Sequence, residues 1–158
     1  MKILSANMIE QITSTEKMLE PFKNREQARR AHVFRGTKCS YHCKFCYGNG
    51  KRNADFFPIE QVKEYIKFLH DYGIQEIEYT GGEPTECSYL PELVEWVRDT
   101  YNMRQCIITN GSGENYRELY IKGMDEFLFS LHGFNEDSHN FITGKYDAWE
   151  KINESMRE

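Results

Sequence analysis

The chain has 158 residues, 39% of them hydrophobic and 14% aromatic, which suits one globular domain with a single buried core and excludes disorder as the default. Twenty Lys and Arg residues against 25 Asp and Glu residues give a formal charge of −5 with the signs mixed along the chain, so nothing demands a nucleic-acid partner. We find neither a signal-peptide core after Met1 nor a run of about 18 apolar residues, so we expect a soluble cytoplasmic protein.

Residues 1–30 are predicted to form an N-terminal helical extension, because Thr13 and Glu16 have the spacing of a capping box. From residue 31 onward, short β-like runs alternate with amphipathic helical runs, which predicts βαβ units around a parallel sheet. The predicted elements are a strand at 31–35, a helix from about Pro58 that Gly73 stops, a strand at 75–80, a helix through Leu90 and Tyr101, a strand at 105–109, a helix at 115–122 ended by Gly123, a strand at 126–131 and a final helix with Trp149, Ile152 and Met156 on one apolar face.

Polar or glycine-containing turns follow each of the four predicted strands. They begin near Thr37, Gly81, Asn110 and His132. Parallel α/β sheets and barrels collect their active sites at the carboxyl ends of their strands. The sequence therefore predicts one site, built from these four turns.

The first turn contains three of the five cysteines, Cys39, Cys43 and Cys46, in the spacing Cys-x3-Cys-x2-Cys. Such a cluster suits metal ligation in a reducing compartment better than a disulfide framework. A structural zinc site uses four protein ligands, whereas an iron-sulfur cubane held by three cysteines keeps one iron open. The zinc alternative needs a fourth ligand, His42 or His132, and His42 would be strained between two of the cysteines.

The remaining cysteines stand alone in the sequence. Cys106 lies in an apolar run and is predicted to be a small buried thiol. Cys87 follows the Gly-Gly-Glu-Pro turn, so it is either exposed near the site or, as is usual for an isolated cysteine, a packing residue.

With the aromatic Phe45 before its last cysteine, the loop resembles the cluster motif of the radical SAM superfamily. Three further motifs agree in order and spacing, namely Gly81-Gly82-Glu83-Pro84, Thr109-Asn110-Gly111 and Ser130-Leu131-His132-Gly133. A lone Cys-x3-Cys-x2-Cys is only moderately specific, but four motifs at four successive strand ends are a strong signal. The stretch through His139 and Thr143-Gly144 also resembles family members that mature peptides.

The resemblance implies that Cys39, Cys43 and Cys46 hold a 4Fe-4S cluster whose open iron is chelated by the methionine amino and carboxylate groups of S-adenosylmethionine. The reduced cluster would cleave the C5′–S bond, and the 5′-deoxyadenosyl radical would take a hydrogen atom from a substrate. This chemistry belongs to the cofactors, and the protein positions them and excludes water.

The resemblance also implies roles for the other motif residues. Gly81 and Gly82 would let the backbone approach the methionine amino group, Glu83 would offer it a carboxylate, and Pro84 would fix the turn. Phe45 would lie against the adenine, Ser130 would bond to the ribose or carboxylate, and Asn110 and His132 would complete the cofactor site. Structural alternatives stay open, because Gly, Pro and Asn-Gly are common in plain turns and a loop histidine is often structural.

The cluster loop is locally basic through Lys38, Lys44, Lys51 and Arg52. These charges could steer an acidic one-electron donor such as flavodoxin or ferredoxin, although a solvated charge run is the commoner meaning of such a pattern.

The family core resembles a partial barrel of six β/α units, whereas residues 31–158 supply four, a shortfall of about sixty residues. The glycine-rich motif of the fifth strand has no counterpart. We therefore expect a truncated core whose fourth strand is an exposed edge, completed by further chain, by a second chain or not at all. Two functions stay open, a radical SAM enzyme acting on an unidentified substrate, with a peptide as the expectation, and a non-catalytic iron-sulfur module.

Overall fold

The computed structural model describes residues 29–48 and 55–157. Within these ranges, four parallel strands form one open sheet in the order β1-β2-β3-β4. The strands are Arg30–Phe34 (β1), Glu76–Thr80 (β2), Arg104–Thr109 (β3) and Glu126–Phe129 (β4), and the helices are Ile59–Asp71 (α1), Leu90–Tyr101 (α2), Tyr116–Lys122 (α3), Glu136–Thr143 (α4) and Ala148–Ser155 (α5), with a short 3-10 helix at Pro84–Glu86. The predicted α/β fold with a parallel sheet is confirmed. The predicted N-terminal helix lies outside the described residues, and Arg30 already belongs to β1.

Parallel pairing brings the carboxyl ends of all four strands to one edge of the sheet. Thr80 pairs with Phe34 along the backbone, and Thr109 pairs with Phe129. The turns that follow β1, β2, β3 and β4 therefore meet at this edge, as the strand-by-strand prediction required.

One face of the sheet is covered by helices and holds the apolar core. The core contains, among others, Val33, Ile77, Tyr79 and Ile107 from the strands, Val62, Ile66 and Leu69 from α1, Leu90, Leu93, Val94 and Val97 from α2, and Leu119 from α3. Cys87 is buried in this same cluster, so it is a packing residue rather than an exposed thiol. Burial of each such aliphatic side chain contributes about 1.5–3 kcal/mol before conformational entropy is subtracted.

Arg35 is an exception in this apolar layer. Its side chain is buried, with the guanidinium carbon 5.7 Å from the Phe56 ring centroid and 5.4 Å from that of Tyr79. None of its three side-chain nitrogens has a hydrogen-bond partner within the described part of the chain. Burial lowers the pKa of Arg35, because it disfavours the charged form.

The opposite face of the sheet carries charged side chains. Arg30 pairs with Glu76 and, at 3.2 Å, with Glu78, and Arg104 Nη2 lies 3.2 Å from Glu126. The Cys106 side chain lies on this charged face, with its Sγ 3.9 Å from Glu78 Oε1, and is buried as predicted.

The structure departs from the predicted elements toward the C-terminal end. Helix α4 was not predicted, although Asn135 and Ser138 form a capping box at its start. Met156 does not share the buried face of the last helix, because α5 ends at Ser155 and Met156 is exposed. The buried position falls instead to Ser155, whose hydroxyl donates to the Gly111 carbonyl at 2.9 Å.

Strand β4 is shorter than predicted, since it ends at Phe129 and the Leu131 N–H turns back to the Phe129 carbonyl at 3.1 Å. Among the described helices, we find none with the length and apolar character needed to cross a membrane.

Candidate metal centre

The cysteine loop follows β1 and leads across the carboxyl edge of the sheet. Cys39, Cys43 and Cys46 are all half-buried and reduced. The Cys46 N–H donates to the Cys43 carbonyl at 3.1 Å, which closes a tight turn between the second and third cysteine. The loop is therefore shaped locally by its own backbone, and the surrounding elements fix its position.

The Gly-Gly-Glu-Pro turn after β2 packs directly against the loop. The Gly82 N–H donates to the Gly36 carbonyl at 2.9 Å, and the Glu83 N–H donates to the Lys38 carbonyl at 2.8 Å. A Cβ atom on Gly82 would lie 1.8 Å from the Lys38 oxygen, and Gly81 has a φ of +127°. The backbone approach that these glycines permit is thus an approach to the cysteine loop. Their predicted contact with a methionine amino group stays a prediction.

Further anchors come from residues to which the sequence analysis assigned no contact with the loop. Glu86 in the 3-10 helix accepts a 2.8 Å hydrogen bond from the Ser40 N–H. The last turn of α4 accepts two more, from the His42 N–H to the Thr143 carbonyl and from the Lys44 N–H to the Ile142 carbonyl, each at 3.0 Å. Helix α4 therefore clamps the middle of the cysteine loop, and its capping box was the sequence signal that could have revealed it.

Glu83 is a buried carboxylate with four donors, at 1% exposure. Its Oε1 accepts from the Thr85 N–H at 3.0 Å, the Thr85 hydroxyl at 2.6 Å and the Thr109 hydroxyl at 2.8 Å, while Oε2 accepts from the Asn110 N–H at 2.7 Å. Burial raises the pKa of Glu83, and the hydrogen bonds oppose that shift. The carboxylate thus ties the turn after β2 to the turn after β3, and a direct contact with a ligand's ammonium group stays a prediction. Pro84 is buried behind it, at the start of the 3-10 helix.

Asn110 connects the turn after β3 to the first cysteine. Its side-chain Nδ2 lies 3.6 Å from Cys39 Sγ and donates to it. Its Oδ1 accepts from the Ser112 N–H at 2.8 Å. The structure therefore brings Asn110 to the cysteine loop.

The thiol of Cys39 is perturbed by its surroundings. Burial raises its pKa to about 11, a backbone hydrogen bond from Tyr41 acts in the opposite direction, and the charges of Glu83 and Glu86 add to the rise. Tyr41, inside the loop, is 1% exposed, and burial raises the pKa of its hydroxyl. The Cys39 sulfur thus receives two N–H donors, one from the backbone and one from Asn110.

The turn after β4 meets the other end of the loop. The Phe45 and His132 rings lie edge to face with centroids 4.6 Å apart, and 61% of Phe45 is exposed. The His132 N–H donates to Nδ1 of the buried His139 at 3.2 Å, and burial lowers the pKa of both histidines. Ser130 lies at the same edge, where its N–H donates to the Thr109 carbonyl at 2.8 Å. Every predicted site residue therefore lies in the turns at this edge.

Within residues 29–48 and 55–157, no three His, Cys, Asp or Glu side chains form a group that could hold a single metal ion. In an iron-sulfur cubane each thiolate binds a different iron, so the three cysteines have to surround a cluster rather than converge on one ion.

Comparison with known proteins decides the family. The profile of the radical SAM superfamily matches residues 33–158, which is most of the chain. The chain belongs to the radical SAM superfamily. Members of this superfamily use a 4Fe-4S cluster and S-adenosylmethionine.

Relatives of this radical SAM chain include a probable GTP 3′,8-cyclase of Thermoplasma volcanium, 31% identical over 68% of this chain and 34% of the relative. An S-adenosylmethionine-dependent nucleotide dehydratase of Oncorhynchus mykiss is 29% identical over 66% of this chain and 32% of the relative. The chain thus spans about a third of the length of these two proteins.

The solved structure of Streptococcus suis SuiB bound to S-adenosylmethionine superposes with a TM-score of 0.67 at 18% identity, covering 99% of this chain and 39% of that one. SuiB bound to its precursor peptide gives the same TM-score at 16% identity, with 98% and 38% covered. At these identities the likeness concerns the fold.

The residues at the sheet edge fit the cofactors of the superfamily. The three cysteine thiols of the described loop match the donor set of a cubane with one open iron. Two N–H donors directed at Cys39 would stabilise a thiolate in place of the neutral thiol that burial favours without a metal. Exposed Phe45 leaves an aromatic surface beside the cysteines for a planar ring.

Proposed function

We propose that this radical SAM chain binds a 4Fe-4S cluster through Cys39, Cys43 and Cys46 and cleaves S-adenosylmethionine reductively, for hydrogen abstraction from a substrate. The alternative is a non-catalytic iron-sulfur fragment or partner module that carries the cluster without turnover. The observation that carries the proposal is the network at the first cysteine. It joins the turns after β1, β2 and β3 through Glu83, Asn110 and Cys39.

When bound, the cluster and S-adenosylmethionine supply one electron and a 5′-deoxyadenosyl radical. The protein holds the cysteine loop in place from two sides, with the Gly81-Gly82-Glu83-Pro84 turn against Lys38 and with α4 against His42 and Lys44. Such anchoring limits movement of the ligands, as a metal site requires. In this proposal Gly81 and Gly82 serve first to seat the loop and then to present backbone atoms to the methionine end of the cofactor.

The nucleoside end of S-adenosylmethionine is assigned to the turn after β4. Phe45 would stack on the adenine, and its edge contact with His132 supports a fixed orientation for the ring. Ser130 would bond to the ribose or carboxylate, and His132 would line the same side. The lowered pKa of His132, caused by burial, keeps its imidazole neutral at pH 7, so it would add no positive charge.

The substrate class has two candidates. The fourth β/α unit, with its Thr143-Gly144 end, motivates a peptide, and the SuiB structure bound to its precursor peptide supports that class through fold alone. The names of the sequence relatives, a GTP cyclase and a nucleotide dehydratase, favour a nucleotide. Incubation with deuterated peptide and deuterated nucleoside triphosphate pools distinguishes the two, since only the true substrate class transfers deuterium into 5′-deoxyadenosine.

The proposed partners are a one-electron donor, such as flavodoxin or ferredoxin, and a second chain that completes the sheet. Lys44, whose ammonium lies 2.8 Å from the Phe141 ring centroid, presents a positive charge beside the cysteine loop, and Lys38 adds another. Lys51 and Arg52 lie outside the described residues.

In the described ranges β4 pairs only with β3, so its free edge offers a place for another strand. A cytoplasmic location, where thiols stay reduced, suits a three-cysteine site.

Anaerobic reconstitution with iron and sulfide tests the proposal. We expect about four irons per chain, a dithionite-dependent EPR signal and 5′-deoxyadenosine on addition of S-adenosylmethionine. Substitution of Cys39, Cys43 or Cys46 by Ala should abolish all three. Cys106→Ala is the matched control, because this buried thiol lies outside the loop and its loss should leave iron content unchanged.

Two results would contradict the proposal at different levels. A fully loaded cluster that yields no 5′-deoxyadenosine would refute the enzyme and leave the non-catalytic module. One zinc ion per chain in tetrahedral thiolate coordination would refute both. Sedimentation of the loaded protein as a monomer would exclude another copy of this chain as the second chain that completes the sheet.

A further inference from the structure

The side-chain amide of Asn110 lies against a sulfur atom that the proposed function assigns to the cluster. Its Nδ2 is 3.6 Å from Cys39 Sγ, a donor distance that suits the large sulfur atom. Cys39 is half-buried, and the amide reaches it from β3, 71 positions along the chain. The contact therefore exists only because the sheet brings the turns after β1 and β3 together.

The orientation of this amide is fixed by its other contacts. Its oxygen accepts from the Ser112 N–H at 2.8 Å, so its nitrogen has to face Cys39 rather than the reverse. The backbone of Asn110 is held in turn by the buried Glu83 carboxylate at 2.7 Å. The donor is thus preorganised before any cluster binds.

We propose that Asn110 is a positioning residue that raises the reduction potential of the cluster by donating a hydrogen bond to Cys39. The inference rests on the proposed function, since it requires Cys39 to bind iron. On reduction one electron passes from the donor protein, or from dithionite in the assay, into the 2+ cluster to give the 1+ state, and no bond forms or breaks. The added negative charge spreads onto the ligating sulfurs, so an N–H dipole aimed at one of them stabilises the reduced state more than the oxidised one.

A purely structural role for Asn110 makes a different prediction, and two substitutions separate the roles. Asn110→Asp keeps the oxygen that accepts from the Ser112 N–H but replaces the donor at Cys39 by an acceptor. Asn110→Leu removes both contacts at similar volume. If Asn110 only shapes the turn, the neutral Leu variant binds less iron but keeps the wild-type midpoint per bound cluster. If its donor sets the potential, both variants lower the midpoint, and the Asp variant lowers it most because its added charge also opposes reduction.

The experiment is an anaerobic redox titration of the reconstituted full chain, with the EPR signal of the reduced cluster normalised to bound iron. At a fixed potential near the wild-type midpoint, we expect Asn110→Asp to lower the ratio of reduced to oxidised cluster about ten-fold, a downward shift of about 59 mV for a one-electron couple. Asn110→Leu should fall in between. Asn115→Asp, which adds the same charge at the exposed start of α3, should match the wild type.

The failures of the two proposals are distinguishable. Absence of a 4Fe-4S signal in the wild type refutes the proposed function. A wild-type cluster that loads normally, together with an unchanged midpoint in the neutral Asn110→Leu variant, refutes the inference and leaves the proposed function intact. An equal shift in Asn115→Asp also refutes it, because the effect would then be long-range charge rather than the hydrogen bond. Lower iron loading in a variant does not obscure the result, since the midpoint is measured per bound cluster.

Discussion

Replacing Glu83 by Gln tests whether the buried carboxylate holds the turn after β2 against the end of β3. The substitution conserves shape but removes the charge and converts one oxygen into an NH2 group. Three of the four donors surround Oε1, so the glutamine oxygen should remain there, which leaves its NH2 group facing the Asn110 N–H. Two donors would then oppose each other in a buried position.

The expected loss in the free energy of unfolding follows from these contacts. An unsatisfied buried donor costs about 1–3 kcal/mol, and hydrogen bonds to a charged acceptor are about twice as strong as neutral ones, so the three remaining bonds weaken as well. Because glutamine is neutral, the substitution also removes the cost of burying a charge, and this offsets part of the loss. We expect the free energy of unfolding to fall by about 2–4 kcal/mol, which lowers the Tm by about 5–15 °C at about 2–4 °C per kcal/mol for a chain of this size.

The assay is thermal unfolding of the metal-free protein followed by circular dichroism, with iron loading measured afterwards. Glu86→Gln is the control, because its hydrogen bond at the loop, from the Ser40 N–H, needs only an oxygen that glutamine retains. We expect that variant to unfold within about 2 °C of the wild type, because the half-buried Glu86 keeps this hydrogen bond and its charge is not enclosed. If Glu83→Gln also unfolds within that range and loads iron normally, the claim that Glu83 holds the turns after β2 and β3 together is refuted.

Three further predictions concern the glycine turn, the buried arginine and a buried histidine. Gly82→Ala should lower bound iron several-fold, because its Cβ would lie 1.8 Å from the Lys38 oxygen. Gly73→Ala, whose backbone strain at φ +99° lies after α1 and away from the cysteine loop, should keep wild-type iron in the same colorimetric assay. Arg35→Met should raise the free energy of unfolding in urea by about 1–2 kcal/mol, since in the described residues the guanidinium has ring contacts but no hydrogen bonds; a loss of stability would contradict this. Burial lowers the pKa of His139 in the folded protein, so the unfolded chain binds more protons than the folded one as the pH falls below about 6.5. The free energy of unfolding should therefore decrease between about pH 7.5 and about pH 5.5. His139→Gln should flatten this pH dependence.

Much of the fold could be predicted because each element carries a local signal. The apolar spacing of Val62, Ile66 and Leu69 predicts α1, and glycines mark the ends of α1 and α3, where the structure shows Gly73 and Gly123 with positive φ. Helix α4 was missed because its apolar pattern is weak and its start is marked only by a capping box. Met156 was placed on the wrong face because a hydroxyl, bonded to the Gly111 carbonyl, takes the buried position that apolar periodicity assigns to a hydrophobic residue.

For the site, the sequence alone predicted which turns would carry chemistry. Cysteine spacing and glycine turns depend on residues adjacent in the chain, so Cys39, Cys43, Cys46 and the Gly81-Gly82 pair could be selected without coordinates. The positions of these turns at one edge followed from the alternation of strands and helices, since parallel strands share a carboxyl edge. The superfamily membership that the sequence motifs implied is confirmed by the profile match over residues 33–158.

Only the tertiary structure decided how those turns hold one another. The Glu83 carboxylate faces Thr109 and Asn110 rather than open space, Gly82 fits the Lys38 carbonyl, and α4 clamps the loop through backbone atoms that carry no sequence signature. These contacts join residues 26 to 101 positions apart, and hydrogen bonds over such separations depend on strand register and packing rather than on any local pattern. The same reason explains why the donor at the Cys39 sulfur, Asn110 Nδ2, could be assigned only once β1 and β3 were placed in one sheet.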